Sequence, residues 1–337
     1  MRFIRRVAAI PRRVATLAID GWRRHRALVA LRSHLPIPAD RTFATIVAMP
    51  GGVHMADLAM AKVEGFLPIL CVLNGVSAPE RAYLATRHPA AHFAATPHVL
   101  RHHDVINAVI EVSPRDFWLV DHDCIVLQPE ALRAAEEVSA GAIGAVFFAD
   151  ANAETGFTKP HTFLMLIRPR VAKDIFRRFG VDASPLTWRQ LPDGARRACE
   201  SVGLSATRLP EPGKPYFDTL CAAAACAASQ GVGFHIMNTY TAMFCPHPEA
   251  VHFGHTSTPV FKPDWLYGAL GAYFWRAALE RHAGADLCDL YRDRLASLPP
   301  LDEMRRALIA QDTPYADATV LDSIDALCAG SGPNGRT

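Results

Sequence analysis

Two things are missing from this 337-residue chain: a Cys-x-x-Cys pair, and an uninterrupted apolar run long enough to cross a bilayer. The eight cysteines are scattered singly, at Cys71, Cys124, Cys199, Cys221, Cys226, Cys245, Cys288 and Cys328. That excludes a zinc knuckle and a stapled secreted scaffold, and it points to a reducing compartment with the thiols used as small core residues. Charged residues make up only 20% and hydrophobic ones 50%, so wholesale disorder is excluded and a large core is affordable. No internal repeat is apparent. The length suits one large α/β domain with appendages.

Charge is unevenly placed. Residues 1–32 carry nine arginines and one aspartate, a net of +8, so with an overall +2 the remainder sums to −6 and is no basic nucleic-acid binder. Phe3, Val7, Ile10, Val14 and Leu17 recur at helical spacing, with Arg2, Arg5, Arg6, Arg12 and Arg13 on the other faces and Pro11 as a kink. Such a segment suits peripheral contact with an anionic membrane, at the inner face for a cytoplasmic protein. A solvated helix packed against the domain and an arginine-rich transit peptide are the other readings. Pro36-Ile37-Pro38 then reads as a linker.

Beyond it, short apolar runs alternate with helical stretches, the pattern of a mostly parallel sheet flanked by helices. Strands are expected at Thr42–Met49, Phe66–Leu73, Asp116–Val120, Ala142–Phe148, Thr162–Ile167 and Phe234–Asn238. Helices are expected at Met55–Glu64, Pro79–Thr86, His102–Val112, Glu130–Ser139, Val171–Phe179 and Thr219–Ser229. Residues 182–215, rich in Pro, Gly and Arg and with weak periodicity, read as a variable excursion that shapes an acceptor site. Cys245–Pro263 reads as a loop, the chain from Trp265 as helical, and the tail from Gly330 as disordered. The organisation expected is a basic segment and linker over 1–38, a catalytic domain over 39–265 and a helical extension over 266–337.

Phe117-Trp118-Leu119-Val120 runs straight into Asp121-His122-Asp123. An Asp-x-Asp triplet alone is cheap, but an apolar strand leading into it puts two carboxylates at the carboxyl end of a sheet, where open α/β folds bind ligands. Two converging carboxylates need a compensating cation, and Mg²⁺ or Mn²⁺ supplies one while leaving positions for a diphosphate. A pair of loop or cap aspartates is the bland reading. The second feature is Val251-His252-Phe253-Gly254-His255, continuing to Phe261-Lys262-Pro263-Asp264-Trp265. Gly254 would let backbone approach a phosphate, and Lys262 would bring a point charge to it.

Together these segments resemble family 8 glycosyltransferases, which have the GT-A fold, an Asp-x-Asp motif and a late His-x-x-Gly-x-x-Lys-Pro-Trp signature. The resemblance covers the order of elements over residues 42–265 and is specific in the two short segments. It implies a metal-dependent transferase using a nucleoside diphosphate sugar as donor, with a glycan, lipid or protein acceptor, possible roles in envelope glycan or glycolipid synthesis, and no nucleic-acid partner. Carried over by position, Asp121, Asp123 and His252 would hold Mn²⁺ or Mg²⁺, with His255 as the alternative histidine, while Gly254 and Lys262 would hold the diphosphate. The His-to-Gly gap is one residue shorter than the signature and the Gly-to-Lys gap is longer. Lys159-Pro160-His161-Thr162-Phe163 stands where the family has an Asn-Ser-Gly strand, without those residues. Retention or inversion at the sugar stays open.

Asp218, in Tyr216-Phe217-Asp218-Thr219, reads as the N-cap of the following helix and, by the same resemblance, as an acid facing the acceptor or the transferred sugar. For an inverting transfer it is the candidate general base. His102-His103-Asp104 reads as solvated and capping residues at a helix start, and Gly51-Gly52 as a turn. Two other classes compete: a haloacid-dehalogenase-like phosphohydrolase with Asp121 as nucleophile, and a non-catalytic GT-A relative that binds sugars or scaffolds.

Overall fold

The computed structural model describes residues 25–38, 40–211, 213–237, 260–262, 269–311 and 318–330. After a helix over residues 25–34 (α1) come β1 (Phe43–Ala48), α2 (Val53–Val63), β2 (Ile69–Asn74), α3 (Ala78–Arg87), β3 (His92–Thr96), α4 (His102–Val112) and β4 (Phe117–Asp121). β5 (Ile125–Val126), α5 (Glu130–Val138), β6 (Gly144–Val146), β7 (Ala149–Ala151), β8 (Thr158–Pro160), β9 (Leu164–Ile167) and α6 (Pro169–Phe179) follow. Then come β10 (Leu186–Thr187), α7 (Asp193–Ser201), β11 (Tyr216–Phe217), α8 (Cys221–Ser229), β12 (His235–Ile236) and β13 (Val260–Phe261), and helices over Ala269–Ala278, Ala285–Leu290, Arg292–Ser297, Leu301–Ile309 and Ala318–Gly330.

Seven strands form the main sheet in the order β12-β6-β9-β4-β1-β2-β3. β1, β2, β3 and β4 are mutually parallel, β6 is parallel to β12, and β9 runs antiparallel between β4 and β6. The expectation of a mostly parallel sheet flanked by helices is met. The chain builds outward from β1 to β2 and β3, then returns to place β4 on the other side. The gap between β1 and β4 is therefore the topological switch point, where the loops after the two strands diverge and leave a crevice.

Side chains along the central strands alternate between two cores, as the two-residue strand period requires. Ala44, Ile46, Trp118 and Val120 join one core with α2 and with Tyr273, Phe274 and Trp275 of the C-terminal helices. Phe43, Val47, Phe117 and Leu119 join the other, with α4, α6 and α8. Because both faces are covered, β1 and β4 read as continuous apolar runs rather than alternating ones. α8 is buried from Cys221 to Ala227, and its small side chains let it seat against α6, α7 and β8.

Several expectations change. β3 was not anticipated: it is an edge strand with a mixed burial pattern, and edge strands lack a continuous apolar run. The excursion over 182–215 carries a helix that its weak periodicity did not announce, α7, whose buried face is only Ala195, Ala198 and Cys199. The run Ala142–Phe148 is a shorter strand, β6, followed by β7, which turns away to pair with β8 in a separate ribbon. At Gly144 a β-carbon would lie 1.8 Å from the Leu166 carbonyl oxygen, so glycine is what lets β6 approach β9. Part of the expected Cys245–Pro263 loop is strand β13. Residues 25–34 pack against the body: Ala27 and Leu31 are buried in the second core and Arg32 pairs with Glu111 at 2.9 Å. Residues 1–24, with the amphipathic stretch, and the tail beyond Gly330 lie outside the described residues. No helix among the described residues is long and apolar enough to cross a membrane.

Candidate functional site

Asp121 is the last residue of β4, level with Val47 of β1 in the parallel register. Its backbone N–H donates to the Phe163 carbonyl at 2.9 Å, which ties the strand end to the antiparallel neighbour. A turn closed by Cys124 N–H on the Asp121 carbonyl (2.9 Å) then brings Asp123 back beside Asp121. His122 packs inward, and a β-carbon on Gly52 would come within 2.9 Å of its ring. Burial lowers the pKa of His122, although Asp123 and Asp121 pull it up, so the ring is neutral near neutral pH. The glycine pair does form a turn, with Gly51 at φ 79°, and the absence of a side chain at Gly52 is what admits His122.

The turn after β1 is held from the far side of the chain. Gly51 N–H donates to Glu80 Oε1 at 2.7 Å, Trp275 Nε1–H donates to the Gly51 carbonyl at 2.7 Å, and Tyr291 donates to Glu80. The C-terminal helices thus brace one lip of the crevice.

Lys262 arrives from 139 residues downstream of Asp123. β13, just before it, pairs antiparallel with β5, just after the Asp-His-Asp turn, matching Phe261 to Ile125. That register sets the Lys262 ammonium on Asp123 Oδ1 and 3.6 Å from Asp121 Oδ2. Burial would lower the lysine's pKa, but the two carboxylates outweigh it and hold the value above the ordinary lysine range. The ammonium is charged at any physiological pH.

Opposite this group the crevice opens into a cavity of about 210 Å³, lined by Asp121, Lys262, Lys159, His161, Lys214 and Asp218 among others. Lys159, on β8 and nearly buried, bonds Glu211 Oε2 at 2.6 Å, and His161 Nε2 lies 3.0 Å from Asp150 Oδ2. Lys214 reaches Glu211 at 2.9 Å and Asp218 at 3.3 Å. Burial raises the Asp218 pKa, but the Thr219 N–H at 2.7 Å and the Lys214 ammonium outweigh it, leaving the carboxyl below the ordinary aspartate value. The same balance, burial opposed mainly by Lys159 and Lys214, lowers Glu211.

The structure therefore brings Asp121, Asp123, Lys262 and Asp218 to one crevice. It does not make Asp218 a helix cap: α8 begins at Cys221 behind Leu220, which takes a left-handed φ of 61°, and Asp218 bonds Thr219 and Lys214 instead. His252, Gly254 and His255 lie outside the described residues. His102, read as a solvated helix-start residue, instead turns its Nε2 to within 3.6 Å of Asp121 Oδ1. Sequence reasoning also passed over Lys159, His161, Lys214 and Glu211. One signal was present: the chain has five lysines among its 35 basic residues, and Lys159, Lys214 and Lys262 line this one cavity.

Among the described residues no set of three His, Cys, Asp or Glu side chains is placed to hold a metal ion. Two adjacent carboxylates still fit Mg²⁺ or Mn²⁺ in donor type and charge, since such ions are commonly held by one or two carboxylates, with substrate phosphates and water completing the shell. The described cysteines are free and mostly buried, and burial drives the Cys124 and Cys221 pKa values up, the latter to about 12. The chain matches no protein-family model and no curated protein.

Proposed function

We propose that the protein is a metal-dependent glycosyltransferase of the GT-A type, moving a sugar from a nucleoside diphosphate sugar to a glycan, lipid or protein acceptor. The observation that carries this reading is the meeting of Asp121, Asp123 and Lys262 at the switch point of a mostly parallel sheet. Carboxylates for a cation and an ammonium for phosphate, side by side at the carboxyl end of the strands, are the complement of a metal diphosphate.

In this reading Asp121 and Asp123 would hold the ion, which when bound supplies Lewis-acid stabilisation to the departing diphosphate. Lys262 adds positive charge where negative charge develops on the leaving group. Asp218 stands across the cavity, ionised near neutrality as an aspartate ordinarily is, and its depressed pKa extends that range into acid. It serves as general base toward the acceptor hydroxyl in an inverting transfer, or positions the sugar in a retaining one. His102 stands beside Asp121, its Nε2 3.6 Å from Oδ1. The part of the basic segment ahead of α1, residues 1–24, would keep the enzyme at the inner face of the membrane.

The test is a thermal-shift screen of uridine and guanosine diphosphate sugars with and without Mn²⁺, on the wild type and on Asp121→Asn. The expected result is a metal-dependent stabilisation by at least one donor, absent from the variant. No metal-dependent shift with any sugar nucleotide would favour a non-catalytic relative. An aspartyl-phosphate trapped on Asp121 would replace this reading with a phosphohydrolase.

A further inference from the structure

We propose that Lys262 makes the Asp121–Asp123 pair selective for a divalent cation that arrives together with a diphosphate, by competing with the free cation for the same two carboxylates. The inference rests on the reading above only in taking this crevice as the site of a cation and a diphosphate.

The competition follows from the geometry. The Lys262 ammonium contacts Asp123 and lies 3.6 Å from Asp121, so it occupies the space between them that a shared cation would take. Asp123 is almost fully buried, and no water can replace the ammonium there without leaving a buried charge uncompensated. The pairing of β13 with β5 fixes the lysine backbone beside the turn, so the ammonium can retreat only by the reach of its own side chain. A dication entering beside it meets like-charge repulsion that the buried surroundings of Asp123 do not screen away. The free ion is therefore disfavoured.

A diphosphate reverses the balance. It offers the ammonium an anionic partner of its own and completes the shell of an ion for which, among the described residues, only two carboxylates stand ready. Lysine suits the exchange, since its flexible stem and three rotatable donors can change partner where the planar fork of arginine would hold one geometry. The choice is notable in a chain that carries arginine for nearly all its other positive charge. By linkage, whatever the diphosphate gains from the cation, the cation gains from the diphosphate.

The test measures protein-bound Mn²⁺ by electron paramagnetic resonance, with Mn²⁺ alone and with Mn²⁺ and pyrophosphate, on the wild type, Lys262→Met, Lys262→Arg and Asp123→Asn. In the wild type, pyrophosphate should tighten Mn²⁺ binding about tenfold or more, within the usual range of coupling between two ligands. Lys262→Met should bind Mn²⁺ alone about tenfold tighter than the wild type and lose most of the gain from pyrophosphate. Lys262→Arg should keep free Mn²⁺ weak, because the charge remains. Lys262→Gln, which can still donate to Asp123, is the second variant should Lys262→Met fail to fold. If Lys262→Met and Lys262→Gln bind Mn²⁺ no tighter than the wild type while Asp123→Asn abolishes binding, the proposal is overturned and the cation site stands. If no form binds Mn²⁺ with or without pyrophosphate, the cation reading itself falls, and the proposal with it.

Discussion

Replacing Asp57 by asparagine tests how firmly the C-terminal helices are bound to the sheet domain. Asp57 sits on α2, the helix that follows the Gly51-Gly52 turn, and is almost fully buried. Its carboxylate takes the Tyr83 hydroxyl at 2.6 Å, His88 Nε2 at 2.7 Å, His282 Nε2 at 2.7 Å and Arg87 Nε at 2.5 Å. An ionised carboxylate only accepts, so it takes the three hydrogen bonds from Tyr83, His88 and His282 and pairs with the Arg87 charge, whereas an amide presents two N–H donors toward groups that are themselves donors. Breaking a buried pair in this way costs about 3–5 kcal/mol. For a chain of this size that corresponds to a fall in Tm on the order of 5–10 °C. Burial raises the Asp57 pKa, but the hydrogen bonds from His282 and His88 outweigh it and depress the folded value below the ordinary 3.8. A depressed carboxylate contributes stability that is fully present above its unfolded pKa and is lost as the pH falls through the folded one. The gap between wild type and Asp57→Asn should therefore be wide near neutrality and close only in acid below about 3.8. Denaturant melts monitored by circular dichroism across pH would show it, with His282→Ala closing a double-mutant cycle. A neutral-pH difference under about 1 kcal/mol, or strict additivity with His282→Ala, would refute the account.

Two further outcomes are expected. Asp218→Asn should lower turnover about 10²-fold or more, as loss of an acid–base group does, while leaving Mn²⁺ affinity within about twofold of the wild type. Because the folded pKa is depressed, the wild-type rate should hold from neutrality down to the ordinary aspartate value of 3.8 and fall only below it; a rate already lost well above that value would place another group in control. Residues 1–24 should carry the membrane contact, since Ala27 and Leu31 of α1 are committed to the core. Sedimentation with phosphatidylglycerol vesicles should then disappear when those residues are deleted, and binding that survives the deletion would count against it.

Much of the frame was readable along the chain. β1 and β4 are buried on both faces, so they read as apolar runs broken only by Thr45, and the β4 run ending in Asp121-His122-Asp123 announces carboxylates at the carboxyl end of the sheet. α4 and α6 were legible from their periodicity, and α8 from its alanines. β3 was not, since an edge strand half exposed to solvent carries neither an apolar run nor strict alternation. Nor was α7, whose apolar stripe consists of small residues. The start of α8 was set two residues late by a left-handed Leu220, a backbone state that no residue preference announces for leucine.

The sequence by itself determined the Asp121 and Asp123 carboxylates and the strand that leads into them, because both depend on short-range pattern. Which distant groups join them was decided only by tertiary structure. The register of β13 on β5 brings Lys262 across 139 residues to Asp123, the turn of α4 aims His102 at Asp121, and the seating of α8 against β8 sets Asp218 over the cavity with Lys159. Each of these is a long-range packing outcome, fixed by which apolar faces bury one another, and local spacing holds no record of it.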